Sequence, residues 1–361
     1  DNATAFLGAY ENSRNNPNVS WEKAFKQNYG VDMNFLEERL STSFDYYKEH
    51  RTDILLRDLS APGIIGFSVP YANLGIVDSW GWELSLKWKD RVNKDFNYWF
   101  NMNLSHNQNK IIEKKETPYT NDFQYEKGSR IGSRYMYQFF RYYDADTPRL
   151  YEETFGKPFP QQLVDLKDGD AVFVDLDGNG IINADDMTRR LGMTDDPQYL
   201  LGINAGFIWR DFELNTQWTG AWGVSRMIGN SFRMPFVSRT DETTGGLLQY
   251  HVDNTWDPEH PSQSAKYPRA TFDHGKVNNY QDCALYEQDA KYLRLKTLML
   301  AYNLRGRFLS SIGVNRMQVA LSGYNLLTFT PFIWGDPETK ASTDPSYPLQ
   351  RTYTVSVRLN F

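Results

Sequence analysis

Apolar and polar residues alternate along several stretches of the chain. In residues 353–361, Tyr353, Val355, Val357, Leu359 and Phe361 fall on one side, and Thr354, Ser356, Arg358 and Asn360 on the other. Successive side chains of a strand point to opposite faces, so the alternation predicts a strand with one apolar and one polar face. Phe96, Tyr98, Phe100, Met102 and Leu104 alternate in the same way with Asn97, Trp99, Asn101, Asn103 and Ser105. Trp82, Leu84, Leu86 and Trp88 alternate with Glu83, Ser85 and Lys87. Ile203, Ala205, Phe207 and Trp209 alternate with Gly202, Asn204 and Gly206, and Phe212, Leu214, Thr216 and Trp218 with Glu213, Asn215 and Gln217. Val319 and Leu321 alternate with Gln318 and Ser322. Less regular strands are predicted over 25–35, 40–48 and 293–304. In the last of these the apolar phase shifts between Leu295 and Leu298, which predicts a bulge. The templates give about nine strands.

The connections alternate in length. Short turns fall near Glu37-Glu38, Asn93-Lys94 and Arg210-Asp211, with a longer one over 305–315. Long loops span 52–77, 110–198, 224–290 and 328–349. A soluble sandwich has no reason for this rhythm, whereas an outer-membrane barrel has short periplasmic turns and long extracellular loops. Trp and Tyr near the strand ends fit that barrel's aromatic girdles; in a soluble protein the same rings are core. The fold class expected is therefore all-β, an antiparallel transmembrane β-barrel. The last strand leaves a long loop, so Phe361 is expected to be periplasmic. The apolar face of that strand, Tyr353, Val355, Val357, Leu359 and Phe361, is the expected C-terminal assembly signal. Nine is odd and bacterial single-chain barrels have even strand numbers, so residues 1–361 are expected to be the C-terminal portion of a larger barrel.

Composition agrees. The 361 residues are 40% hydrophobic and 15% aromatic, yet the mean hydropathy is −0.62. No apolar run of 18 or more exists, which excludes a helical span and leaves a barrel open. The aromatic content excludes disorder. The net charge is −6, with no basic tract, so nucleic acid is not an expected partner. A lone cysteine, Cys283, rules out an intrachain disulfide and is given no role. The chain opens at Asp1 without a signal region, and is expected to be processed, truncated or a fragment.

The sharpest local motif is Asp175-Leu-Asp177-Gly-Asn179-Gly180-Ile181-Ile-Asn183-Ala-Asp-Asp186. It follows the order of an EF-hand loop: oxygen ligands at positions 1, 3 and 5, glycine at 6, a backbone carbonyl at 7 and a carboxylate at 12. The expected ligand set is Asp175, Asp177, Asn179, Ile181 through its carbonyl, Asn183 and Asp186. Calcium is the expected ion and magnesium the second choice. Position 12 is the shorter Asp186 rather than Glu, and no clear helices flank the loop. The bland reading is an Asx-rich turn without metal. In the barrel this loop would order the long extracellular region 110–198.

No catalytic set stands out. His50, His106, His251, His260 and His274 lack metal spacing. Asp144, Asp146, Asp195 and Asp196 can be paired as glycosidase acids, but loop carboxylates are common in an acidic chain. There is no Walker loop and no nucleophile elbow, and the chain is not expected to be an enzyme. Candidate substrate contacts are Tyr137, Arg141, Trp222, Phe232, Trp256 and Trp334, because rings stack on sugars or pack peptide side chains and arginine binds carboxylates. Loop or girdle packing is the plain alternative for each. Asn97, Asn101, Asn103, Glu213 and Gln217 would face the barrel interior.

Several segments, in order, resemble one family. They are Asn18-Val-Ser-Trp-Glu22, Phe44-Asp-Tyr-Tyr47, Asn73-Leu-Gly75, Gly81-Trp-Glu83, Gly128-Ser-Arg-Ile-Gly132, residues 135–140, the acidic loop, and Tyr199-Leu-Leu-Gly-Ile-Asn204. The most specific are Asp289-Ala-Lys-Tyr-Leu-Arg-Leu-Lys296, Leu300-Ala-Tyr-Asn303, Ser322-Gly-Tyr-Asn-Leu326 and the terminal Phe361. The chain resembles the C-terminal barrel region of SusC/RagA-type TonB-dependent outer-membrane transporters of Bacteroidetes. That resemblance implies a plugged barrel of about 22 strands. It also implies a SusD-like surface lipoprotein as lid, TonB acting through N-terminal parts not in this chain, and contact with outer-membrane lipid and with the rest of the same transporter. The implied activity is active import of a glycan oligosaccharide or a peptide. The rival reading is a carbohydrate-binding surface β-protein with a structural calcium site and no transport.

Overall fold

The computed structural model describes residues 15–61, 68–236, 247–272, 278–339 and 347–361. Four long strands open the chain: β1 (Lys23–Phe35), β2 (Leu40–Arg57), β3 (Tyr71–Asn93) and β4 (Phe96–Glu113). A long connection follows, containing β5 (Met136–Tyr137), β6 (Phe139–Tyr142), α1 (Thr147–Phe155), β7 (Ala171–Phe173) and β8 (Met187–Thr188). The hairpin β9 (Tyr199–Trp209) and β10 (Phe212–Trp222) comes next. A second long connection holds β11 (Ser225–Met227), α2 (Asn230–Arg233), α3 (Gln249–Asn254) and β12 (Glu287–Asp289). Then come β13 (Tyr292–Leu304), α4 (Arg307–Ser311), β14 (Arg316–Phe329) and β15 (Thr352–Asn360).

Nine strands form one antiparallel sheet in the order β1-β2-β3-β4-β9-β10-β13-β14-β15. Its register turns the sequence alternation into continuous rows. One row reads Met33, Thr42, Leu86, Met102, Ile203, Trp218, Leu295, Leu327 across eight strands. The adjacent row reads Asp32, Ser43, Ser85, Asn103, Gly202, Thr219, Arg294, Thr328. A slip of one residue in any strand would mix these rows, so the alternation itself fixes the pairing. The apolar face is uncovered: Val355 and Val357 are 72% and 60% exposed. The expected bulge is present, with pairing skipping Lys296 on both sides of β13.

Two aromatic rows bound the apolar face. At the long-loop end Tyr29, Tyr46, Trp82, His106, Tyr199 and Trp222 are register partners. At the short-turn end the row is Phe96, Trp209, Phe212 and Tyr302. On β9 these rows lie ten residues apart, from Tyr199 to Trp209. At ~3.3 Å per residue that is ~33 Å along the strand. Tilted by ~40°, it spans ~25 Å, the height of an outer-membrane apolar band.

One expectation needs correction. The loop expected over 52–77 is shorter, because β2 continues to Arg57 and β3 starts at Tyr71. These extensions pass the aromatic row and carry an irregular register around Asp53, which is why their alternation is not visible. The turn over 305–315 contains the short helix α4. The two longest connections share one core: Tyr137, Phe173 and Ile182 from the first pack with Ile228, Tyr267, Cys283 and Tyr286 from the second.

The row assignment predicts an asymmetry. Arginine at Met102, in the middle of the apolar row, should lower stability in a bilayer by about 2–4 kcal/mol. Arginine at Asn103, one residue away on the polar face, should cost far less. Urea unfolding of the complete protein in lipid vesicles measures both.

Candidate functional site

The long-loop end carries the candidate chemistry. In the acidic loop, Asp175 Oδ1 accepts from the Gly178 amide at 2.6 Å and Oδ2 from the Gly180 amide at 2.9 Å. Gly180 sits at φ +84°, a left-handed turn that side chains resist. Asp177 Oδ1 accepts from the Asn179 amide, and Asn179 Oδ1 from the Ile181 amide. Asp186 closes the loop, accepting from the Leu176 amide at 2.8 Å and the Asn183 amide at 2.9 Å. Asn183 accepts from the Asp185 amide and caps the single helical turn that ends the loop.

This folding brings carboxylate oxygens of Asp175, Asp177 and Asp186 within 4.8 Å of one another. Oxygens bound to one calcium at 2.3–2.6 Å lie at most about 5 Å apart, so the three carboxylates fit that ion. Asp186 is fully buried. Its burial holds the carboxyl above the ordinary aspartate range, the Asp177 carboxylate adds to the rise, and backbone amides oppose it. The loop enters the shared core through Ile182, which is 2% exposed; the Ile182 amide donates to the Gln161 carbonyl, and the Asp175 amide donates to the Tyr151 hydroxyl of α1.

Of the six aromatic and arginine candidates, Tyr137, Phe232 and Trp334 come together in the shared loop core, and Arg141, Trp222 and Trp256 are not part of it. Tyr137 is buried and stacked on Phe173 at 4.6 Å, and burial pushes its phenol up to about 12. Arg141 is ion-paired to Asp144 at 2.5 Å. Trp222 lies in the aromatic row, stacked on Tyr199 at 5.1 Å. Phe232 and Trp334 stack on each other at 4.6 Å. Trp256 lines a cavity of about 610 Å³ with Lys167, His251, Val252 and Asp257. The interior candidates lie on the polar rows, where Asn101, Asn204 and Gln217 are register partners.

The carboxylates and histidines that the sequence offered have structural surroundings of their own. Asp195 pairs with Arg134 at 2.7 Å and Arg226 at 3.5 Å. His50 bonds Asp78 at 2.6 Å, and His106 packs on Tyr199. His251 is buried against Tyr267. His260 lies beside Asp257 and Glu259, a grouping that its sequence spacing did not suggest; all three are exposed. His274 lies outside the described residues. Burial pushes the Cys283 thiol up to about 12, which leaves it unreactive.

Sequence reasoning missed the clamp at Arg294. This arginine is 2% exposed, on the polar face of β13, and binds Asp336 at 2.8 Å and Glu338 at 3.2 Å. Arg226 adds bonds to the Pro337 and Thr339 carbonyls. Together they hold the 336–339 turn over the end of the sheet. The signal was present in the motif 289–296, but its partner lies in a loop without periodicity.

The uncovered apolar band, its two aromatic borders and the one-sided long loops define part of the wall of an outer-membrane-type β-barrel. A family profile described as TonB dependent receptor-like, beta-barrel matches residues 2–207. The chain belongs to the TonB-dependent receptor barrel family. It is 27% identical to TonB-dependent receptor P3 of Formosa agariphila, over 96% of this chain and 35% of that protein. It is 24% identical to TonB-dependent receptor SusC of Bacteroides thetaiotaomicron, over 96% of this chain and 32% of that one. It superposes on the RagAB peptide transporter with a TM-score of 0.72 at 24% identity, covering 96% of this chain and 36% of that chain. The chain thus spans about a third of the length of the curated relatives it matches.

Replacing Arg294 by Met should remove the clamp and leave the Asp336 carboxylate without its closest cation. Breaking such a buried pair costs about 3 kcal/mol or more. The expected result is faster proteolytic cutting within 330–339 with the barrel strands still protected.

Proposed function

We propose that this chain forms the wall and outer loop layer of a TonB-dependent importer of oligomeric nutrients. The long loops face the cell exterior and Phe361 the periplasm. A SusD-like lipoprotein covers the loop layer, and TonB acts through parts of the transporter outside this chain. The cargo is an oligosaccharide or an oligopeptide. The description of the RagAB relative as a peptide importer supports the peptide arm. The carrying observation is the apolar band across the sheet with all long connections at one end, in a chain of this family. A soluble surface protein would have to cover that band with a second layer.

The polar face fits a filled interior, because its hydroxyls, amides and carboxylates can bond to a plug or to water. None of the residues described does covalent chemistry in this reading. Binding of a panel of oligosaccharides and oligopeptides to the complete transporter, with uptake measured in cells with and without TonB, tests the proposal. TonB-dependent uptake of one class is expected. A chain that is monodisperse without detergent, or uptake indifferent to TonB, would sink it.

We further propose that calcium occupies the acidic loop, held by Asp175, Asp177, Asn179, the Ile181 carbonyl, Asn183 and Asp186, with magnesium as a weaker occupant. The three adjacent carboxylates support it, since a divalent ion offsets the repulsion among them. Its role is to order the 110–198 region, because Ile182 places the loop in the shared core and the Asp175 amide bonds it to Tyr151 of α1. Calorimetric titration should show saturable calcium binding that Asp186→Asn abolishes; no saturation at millimolar calcium refutes the site.

The pH dependence has a defined sign. Without metal, the raised Asp186 carboxyl binds its proton more tightly in the folded than in the unfolded state. Its contribution to stability is therefore lost as pH rises through the raised value. Calcium needs the carboxylate, so its affinity should fall on acidification, beginning above the ordinary aspartate range. Thermal unfolding with calcium and with chelator, from about pH 5 to 8, where proteins are generally most stable, measures both trends; the stabilisation by calcium should grow with pH.

A further inference from the structure

The apolar face of the sheet changes character just above the long-loop aromatic row. The next row on that face reads Gln27, Lys48, Trp80, Gln108, and the one beyond it Phe25, His50, Asp78, Lys110. Lys48, His50 and Lys110 are exposed. Among the described residues neither lysine has an ion pair or a hydrogen bond. Asp78 is the register partner of Lys110, but its carboxylate is engaged by His50 at 2.6 Å. Two ammonium groups therefore stand free around the Trp80 ring, on the face that lower down is mostly apolar and carries no lysine or arginine.

Their height matters. Each row lies two residues above the last, or ~5 Å along the normal for a strand tilted by ~40°. The lysines thus stand ~5 and ~10 Å above the aromatic row. The headgroup layer beyond the hydrocarbon core is roughly 5–8 Å deep on each side. Lysine extends several ångströms and can snorkel toward it. Their Cα atoms sit on β2 and β4, two strand spacings (~10 Å) across and one two-residue step (~7 Å) along, or ~12 Å apart, within reach of one shared anion at the ends of both side chains.

We propose that Lys48 and Lys110, flanking Trp80, bind a phosphate on the headgroup of an outer-leaflet lipid. The ring packs on the lipid's first apolar carbons, and the two ammonium groups take the phosphate oxygens. This gives the loop end a lipid anchor separate from cargo and plug. It rests on the lipid-facing reading of this face; a chain monodisperse without detergent fails that reading, whereas the results below test the lysines within it.

The test uses the complete transporter in mild detergent and native mass spectrometry. The probes are phosphorylated lipid A, the same lipid enzymatically dephosphorylated, and inorganic phosphate as competitor. Wild type should retain the phosphorylated lipid at least roughly tenfold better than the dephosphorylated one, given about a lipid-headgroup charge's worth of attraction per lysine. Lys48→Gln with Lys110→Gln should erase that preference, while Lys26→Gln, on the polar face and paired with Glu49, should leave it. Heat-modifiable mobility confirms that each variant is folded. The proposal is overturned if the double variant keeps the preference or if both lipids bind equally. It is also overturned if millimolar inorganic phosphate displaces the lipid, which marks a free-anion site, or if Lys26→Gln has the same effect.

Discussion

The alternation of polarity along paired strands is the constraint on which everything else here depends. A bilayer offers no water to an unpaired amide, so every spanning backbone group must be bonded between strands. Once that pairing is imposed, side-chain period two forces each strand to commit one face to lipid and one to the interior. The register shows this commitment without a break over eight strands, from Met33 to Leu327 on one face and Asp32 to Thr328 on the other. The bulge at Lys296 is instructive. It adds one residue to β13, yet Leu295 and Leu298 still reach the apolar face because the phase change in the sequence matches the extra residue.

A rigid wall leaves the long connections free to build something of their own. Their shared core joins segments over a hundred residues apart in sequence, such as Tyr137 with Cys283. Polar ties then bind this layer together, Arg134 with Glu287 and Arg226 with the Pro337 and Thr339 carbonyls, and Arg294 of β13 joins it to the sheet through Asp336. The acidic loop enters the same core through Ile182. A cation there would act on the packing of the whole layer, and through the arginine ties on the strand ends beneath it.

This division explains what was legible in the sequence. The strands between the aromatic rows could be read because lipid on one side and a wet interior on the other enforce strict alternation at Phe96–Leu104 or Tyr353–Phe361. Above the aromatic row both faces meet water, the enforcement ends, and the continuations of β2 to Arg57 and β3 from Tyr71 look like loop. The acidic loop could be read because oxygen ligands need fixed spacing on a short chain. Its convergence with the core could not, since Tyr137, Tyr267 and Tyr286 come from three places with no common period. The partner of Arg294 was hidden for the same reason: a buried cation announces that an anion is needed, but not where along the chain it lies.

The same change in environment gives the lysines above the aromatic row their meaning. Within the band an unpaired cation on the lipid face costs about 2–4 kcal/mol near the midplane and little near its edge. The rows follow that gradient: hydrocarbon side chains at Met102 and Ile203, rings at His106 and Tyr199, then Lys48 and Lys110. Solvent alone would tolerate cations there, but it gives no reason for an intervening Trp80 or for a neighbouring carboxylate, Asp78, that is hydrogen-bonded to His50 and not to either lysine. A headgroup phosphate over an acyl chain supplies both reasons, because it presents an anion and an apolar surface a few ångströms apart.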